Sequence, residues 1–135
     1  MIRILFTDID GVLNTLWQTK WSKKSINLYN KLCKEYDLKP VITSTWRIAH
    51  TKEQLQDIFK TKGIEIDIYD YTPILGLARG LEIKEWLNNN KFDDFIIIDD
   101  KTSDVVPYIN KNVIKCRSWI GLSDDEYEEI KKILK

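Results

Sequence analysis

Apolar and polar positions follow two rhythms along this chain, and together they predict repeated strand–helix units. Ile2-Arg3-Ile4-Leu5-Phe6 is an apolar run that reads as a buried strand ending at Thr7-Asp8. Residues 22–36 place Ile26, Tyr29, Leu32, Cys33 and Tyr36 on one helical face. Val41-Ile42-Thr43 predicts a short second strand. Thr51-Lys52-Glu53-Gln54 has the form of a capping box; Leu55, Ile58 and Phe59 give the stripe of its helix, and Gly63 its stop. Ile64, Ile66 and Ile68 alternate with Glu65 and Asp67, which predicts a third strand with one wetter face. Ile83, Trp86 and Leu87 mark a helix running into the Asn88-Asn89-Asn90 turn. Phe95-Ile96-Ile97-Ile98 is the most apolar strand and is expected at the centre; Val113–Cys116 is a weaker fifth strand. Ser123 to Glu126 forms a second capping box, opening a helix with Tyr127, Ile130, Ile133 and Leu134 inward.

The connections are long enough to be crossovers. The order therefore predicts an α/β fold, a five-stranded, mostly parallel sheet with helices on both faces. Ligands in such sheets sit at the carboxyl ends of the strands, near a switch in strand order. No internal repeat or linker interrupts the 135 residues, so residues 1–135 are expected to form a single domain. With 43% hydrophobic residues the chain can bury a core. Lys+Arg and Asp+Glu number 21 each, which excludes a uniformly basic sleeve for nucleic acid. Locally, lysines crowd residues 20–39 and acids crowd residues 124–129, the pattern of solvated faces. Cys33 and Cys116 have no metal-ligand spacing and read as reduced, partly buried thiols. Neither a signal peptide nor a membrane-length apolar run is visible, so a soluble, cytoplasmic protein is expected.

Three polar clusters fall at predicted strand ends. The first is Asp8-Ile9-Asp10-Gly11-Val12-Leu13-Asn14, the second Thr43-Ser44-Thr45-Trp46-Arg47, and the third Asp99-Asp100-Lys101-Thr102-Ser103-Asp104. Alternate residues of an extended segment share a face, so a loop leaving the first strand can aim Asp8 and Asp10 at one point. Gly11 permits a tight turn and a close approach to ligand. Like charges this close repel unless a cation or proton is shared. Asp99 and Asp100, with Asp104 beyond, add carboxylate oxygen, and the donor set suits a hard cation such as Mg²⁺. Ser44, Thr45 and nearby amides can donate hydrogen bonds, and Arg47 and Arg79 can grip phosphate oxygens. Each alone has a plainer reading: strand-end Asp as turn formers, Ser44 and Thr45 as helix caps, Arg47 as a surface cation.

Asp-x-Asp-Gly-Val-Leu, a strand-end Ser/Thr, a basic residue before a late helix and a terminal Asp-Asp pair, in that order, resemble the haloacid dehalogenase (HAD) superfamily. The likeness runs from Ile2 to the final helix. Ser44-Thr45-Trp46-Arg47, Arg79 to Leu87 and Ile120-Gly121-Leu122-Ser123 further resemble the small phosphatase domains of nucleic-acid repair enzymes, including those fused to polynucleotide kinases. The resemblance implies a three-layer, Rossmann-like fold and a Mg²⁺-dependent phosphomonoesterase. It implies Asp8 as nucleophile and metal ligand, and Asp10 as general acid/base with its backbone carbonyl on the metal. Asp99 becomes a direct metal ligand, Asp100 a direct or water-mediated one, and Asp104 an outer contributor. It further implies Ser44 as the phosphate-binding hydroxyl, with Thr43 and Thr45 as alternatives. Arg79 takes the place where most members carry Lys.

Neither residues 14–40 nor residues 47–79 leave room for a large cap domain. An open site favours a bulky substrate, such as a nucleic-acid end, with a kinase or ligase as a possible partner in repair. Trp17 and Trp21 with Lys20, Lys23 and Lys24 offer a stacking stripe, or else the tryptophans close the core. Trp46, Trp86 and Trp119 are expected in the core, and His50 on a helix surface without a role. The alternatives are a phosphoprotein phosphatase, a general small-molecule phosphatase and, in a different class, a non-catalytic phosphate-binding module. A signalling receiver domain fits poorly, because Asp8 and Asp10 share one strand end.

Overall fold

The computed structural model describes residues 1–15 and 20–134. Strand β1 (Arg3–Thr7) lies at the centre of a five-stranded sheet. It pairs in parallel with β4 (Leu38–Ile42) on one side and β6 (Asp94–Asp99) on the other. Beyond these lie β5 (Asp70–Tyr71) and β7 (Val113–Lys115), giving the order β5-β4-β1-β6-β7, every pair parallel. The chain builds outward from β1 to one edge, then returns to build the other. The switch in strand order falls between β1 and β6, at whose carboxyl ends Asp8 and Asp99 stand.

Alternation along the strands divides the core. Leu5, Ile42, Ile96 and Ile98 face one layer of helices; Ile4, Phe6, Val41 and Ile97 face the other. The first layer holds α1 (Lys23–Tyr36), α3 (Lys52–Thr61) and α5 (Asp124–Leu134), which bury Tyr29, Leu55, Phe59 and Ile130. The second holds α4 (Arg79–Asn89), which buries Ile83 and Trp86. Ser22 caps α1, its hydroxyl accepting from the Ser25 N–H at 3.1 Å. Thr51 and Gln54 form the expected capping box on α3. At α5 the Glu126 carboxylate accepts from both the N–H and the hydroxyl of Ser123, each at 2.8 Å.

The third strand differs from expectation. Residues 64–68 form no strand, although Ile64 and Ile68 are buried, and pairing with β4 is confined to Asp70–Tyr71. Side chains satisfy this segment's backbone instead. Asn30 Oδ1 accepts from the Glu65 N–H at 2.9 Å, and Gln56 Oε1 accepts from the Ile68 N–H at 2.5 Å. Trp119 also departs from expectation, being 58% exposed at a loop tip. A short α2 (Trp46–Ala49) follows β4, and two short antiparallel strands, β2 (Asn14–Thr15) paired with β3 (Lys20–Trp21), follow the first acidic loop. Among the described residues, no cap domain is inserted between the sheet elements. Cys33 and Cys116 are buried free thiols. Among the described residues, no helix is long and apolar enough to cross a membrane.

Candidate active site

The loop after β1 turns sharply. Val12 and Leu13 N–H groups both donate back to the Ile9 carbonyl, at 3.1 and 2.9 Å. Gly11 sits at φ +79°, in the left-handed region, and a Cβ built there would lie 2.3 Å from Asp100 Oδ2. Both facts require glycine: backbone strain disfavours other residues, and the space belongs to a carboxylate. Asn14 completes the turn. Its Oδ1 accepts from the Gly11 N–H at 2.9 Å, and its amide donates to Asp10 Oδ1 at 2.8 Å.

This turn separates the two aspartates. Asp8 points inward and meets Asp99 and Asp100, one oxygen of each lying within 4.8 Å of the others. Asp10 is turned away from that cluster. Its carboxylate accepts from the Trp46 indole N–H, 3.2 Å from either oxygen, as well as from Asn14. Both oxygens of Asp10 are thus oriented by neutral donors at the edge of the site.

Charge at the cluster is only part-balanced. Arg79, the first residue of α4, brings Nη1 to 2.7 Å from Asp99 Oδ2 and 3.2 Å from Asp8 Oδ2. Its helix approaches because residue 80 is glycine: a Cβ there would meet the Val105 carbonyl at 2.8 Å. Burial, then the neighbouring Asp99, pushes the Asp8 carboxyl up to about 8, with Arg79 pulling the other way. Asp99 is also raised, first by burial. Carboxylates whose oxygens lie within 4.8 Å of one another repel, when both are ionised, by about 3.5 kcal/mol or more at an effective dielectric of ~20. One guanidinium, shared between Asp8 and Asp99 and not reaching Asp100, does not remove that repulsion. The donor set is all oxygen and mostly buried, which fits a hard divalent cation and not a soft one. Asp100 is held by Ser118, whose hydroxyl donates to Oδ2 at 2.8 Å. Asp104 lies in the 3₁₀ turn Thr102–Asp104, outside the cluster, and its side chain is exposed.

Around this centre the hydroxyl-bearing segment 43–45 leaves β4, with Thr43 N–H donating to Thr7 O at 3.1 Å. Ser44 is buried and its Oγ accepts from the Trp46 N–H at 3.2 Å. Thr45 is exposed and, with Arg79, lines a cleft of about 210 Å³. Arg47, expected to grip phosphate, is instead spent inside the protein. Nε donates to Thr72 O, Nη1 to Thr43 O and Ser44 O, and Nη2 to Pro73 O and Glu82 Oε1. Those five donations leave no N–H for a ligand. Trp21 packs edge-on against Trp46 and Phe59, the core-closing alternative; Trp17 lies outside the described residues.

Four residues at or near the site carry roles that the motifs alone did not reveal: Asn14, Trp46, Ser118 and Glu82. Asn14 had a local signal, four residues after Asp10 and at the end of a tight turn. Trp46 and Glu82 lie in segments that carried the resemblance, but their partners, like that of Ser118, are distant in sequence and could not be read locally.

Neither the curated proteins nor the solved structures contain a match to this chain. Residues 4–127 match the family described as the HAD domain in Swiss Army Knife RNA repair proteins. That match spans most of the chain and includes both acidic loops and the turn at Ser118. The chain therefore belongs to the HAD superfamily, in the family of HAD domains found in Swiss Army Knife RNA repair proteins.

Proposed function

We propose that this chain is a Mg²⁺-dependent phosphomonoester hydrolase that removes phosphate from nucleic-acid ends, RNA ends foremost, through an aspartyl phosphate on Asp8. One observation carries the reading: Asp8 stands with Asp99 and Asp100 at the switch point, under Arg79, while Asp10 is held apart by Trp46 and Asn14. A cluster of metal ligands thus lies beside a separately oriented proton carrier, the division of labour that a two-step phosphoryl transfer needs.

Asp8, Asp99 and Asp100 would hold the cation, joined by the Asp10 backbone carbonyl. Bound there, Mg²⁺ supplies the countercharge that keeps Asp8 anionic and lets it approach a phosphate dianion. Asp8 then attacks phosphorus, and the ester oxygen leaves with the proton carried by Asp10. In the second step Asp10 takes a proton from water, the water oxygen attacks phosphorus, and Asp8 is released with inorganic phosphate. Arg79 is the cation closest to the transferring group, and Ser44 and Thr45 offer hydroxyl donors beside it. Gly11 lets the loop backbone come close. Arg47 acts as a brace, fixing the carbonyls of residues 43 and 44 and the start of the path to α4. Such a role places the protein in the cytoplasm, alongside a kinase or ligase acting on the same ends.

The test is a Mg²⁺-dependent phosphate-release panel. It compares 3′- and 5′-phosphorylated RNA and DNA oligonucleotides, phosphopeptides, mononucleotides and sugar phosphates. Oligonucleotide ends are expected to turn over fastest. A strong preference for free sugar phosphates or phosphopeptides would reject the substrate assignment.

A further inference from the structure

Trp119 is more exposed than any other aromatic side chain among the described residues, yet its loop is tightly held. Residues 117–121 close on themselves through an antiparallel bridge between Arg117 and Gly121. The Ile120 and Gly121 N–H groups donate to the Arg117 carbonyl at 2.9 and 2.8 Å. The loop is also tied to both acidic segments of the site. Ser118 donates to Asp100, and the Leu122 N–H donates to the Val12 carbonyl at 2.8 Å. A single exposed apolar side chain needs no explanation by itself. This one shares a cleft of about 330 Å³ with Asp100, Lys115, Arg117 and Ser118.

We propose that Trp119 is a specificity-determining residue: a fixed platform on which the base of the phosphate-bearing terminal nucleotide stacks, with Lys115 facing the adjoining backbone phosphate. The assignment rests on the phosphatase reading above and names the part of the substrate that the open site recognises. An indole gives a large, stiff face that accepts any base, and its loop is already ordered before substrate arrives. Lys115 and Arg117 add positive charge on the same side, although Arg117 already pairs with Asp125 at 3.1 Å. A planar base can stack over the whole indole face while the flanking cations meet its backbone phosphate. The other described tryptophans are committed elsewhere: Trp86 in the core, Trp46 on Asp10, and Trp21 against Trp46 and Phe59.

The experiment compares RNA oligonucleotides ending in a phosphorylated nucleotide with and without its base. The full chain, Trp119→Ala and Trp119→Phe are assayed with Mg²⁺. The wild type is expected to favour the base-bearing end in kcat/KM, chiefly through KM, within the roughly 5- to 150-fold range of one base–aromatic stack. In Trp119→Ala that ratio should fall to near one, and Trp119→Phe should keep most of it. The side chain is exposed, so neither change threatens the fold. A wild-type ratio near one, or a ratio that survives Trp119→Ala, would overturn the platform while leaving the hydrolase reading intact. Turnover of phosphopeptides or sugar phosphates with oligonucleotide ends untouched would overturn the nucleic-acid reading, and the platform with it.

Discussion

Asp8 and Asp10 are chemically identical and two residues apart, yet their surroundings differ, as the two proposed roles require. Asp8 is buried among acids and its carboxyl is pushed up to about 8; Asp10 rests on an indole and an amide at the edge of the site. Gly11 makes the separation possible by turning the chain in a left-handed conformation, in a space that the Asp100 carboxylate fills. Gly11→Ala should therefore cost far more activity than stability. Backbone strain amounts to about 1–2 kcal/mol, whereas the displaced carboxylate of Asp100 is a metal ligand in this scheme. Chemical denaturation alongside Mg²⁺-dependent turnover checks this, and a variant retaining near-wild-type turnover would contradict it. Asp10→Asn should slow alkyl phosphates, which need a proton on the departing oxygen, much more than aryl phosphates. Equal losses on the two ester classes would argue against the proton-donor role.

At the scale of elements, the site is assembled by packing at helix starts. Gly80 lets the first turn of α4 lie against the Val105 carbonyl, and that contact delivers Arg79 to Asp99. Arg47 ties residues 43–44, residues 72–73 and Glu82 of α4 into one piece, and the Leu75 N–H joins it by donating to Glu82 at 2.7 Å. Removing one partner of a buried pair leaves the other charge uncompensated, at about 3–5 kcal/mol. Arg47→Ala should lose stability on that scale in urea denaturation. Arg47→Lys should recover only part of it, because an ammonium cannot reproduce the planar fork. A loss below about 1 kcal/mol, the value of an exposed pair, would contradict the brace.

The same scale explains what could be read from sequence. Capping boxes and helical stripes are local, and α1, α3, α4 and α5 lie close to where periodicity placed them. The acidic loops followed from their positions at strand ends. Residues 64–68 misled because alternation reports which side chains are buried and not which groups satisfy the backbone; Asn30 and Gln56 do so here. Arg47 and Trp119 misled for a related reason. Whether a guanidinium or an indole meets protein or solvent depends on contacts distant in sequence, Glu82 for one and the closed turn at Arg117–Gly121 for the other.

For the whole molecule, formal charge is balanced, and the consequential imbalance is the local one at the switch point. It makes stability depend on pH and on metal together. In chelator, folded Asp8 holds its proton up to about pH 8, whereas the unfolded chain releases it near 3.8. The folded state therefore binds more protons across that interval, and its stability must fall as pH rises through it. Asp99 is shifted in the same direction and adds to the trend. A cation that binds the deprotonated cluster should restore the loss. Thermal unfolding in chelator should show Tm declining from about pH 4 toward about pH 8, and added Mg²⁺ should raise Tm most at the upper end. A Tm indifferent to Mg²⁺ throughout would argue against a metal at Asp8, Asp99 and Asp100.

Covalent chemistry at Asp8 is the claim on which the rest depends. The most direct measurement is acid-quenched peptide mass spectrometry of the chain during Mg²⁺-dependent turnover of a phosphorylated oligonucleotide. One phosphoryl group should appear on the peptide bearing Asp8, labile to hydroxylamine, and Asp8→Asn should show neither the adduct nor turnover. Mg²⁺-dependent hydrolysis by Asp8→Asn, or a phosphoryl group on any other residue, would contradict the account.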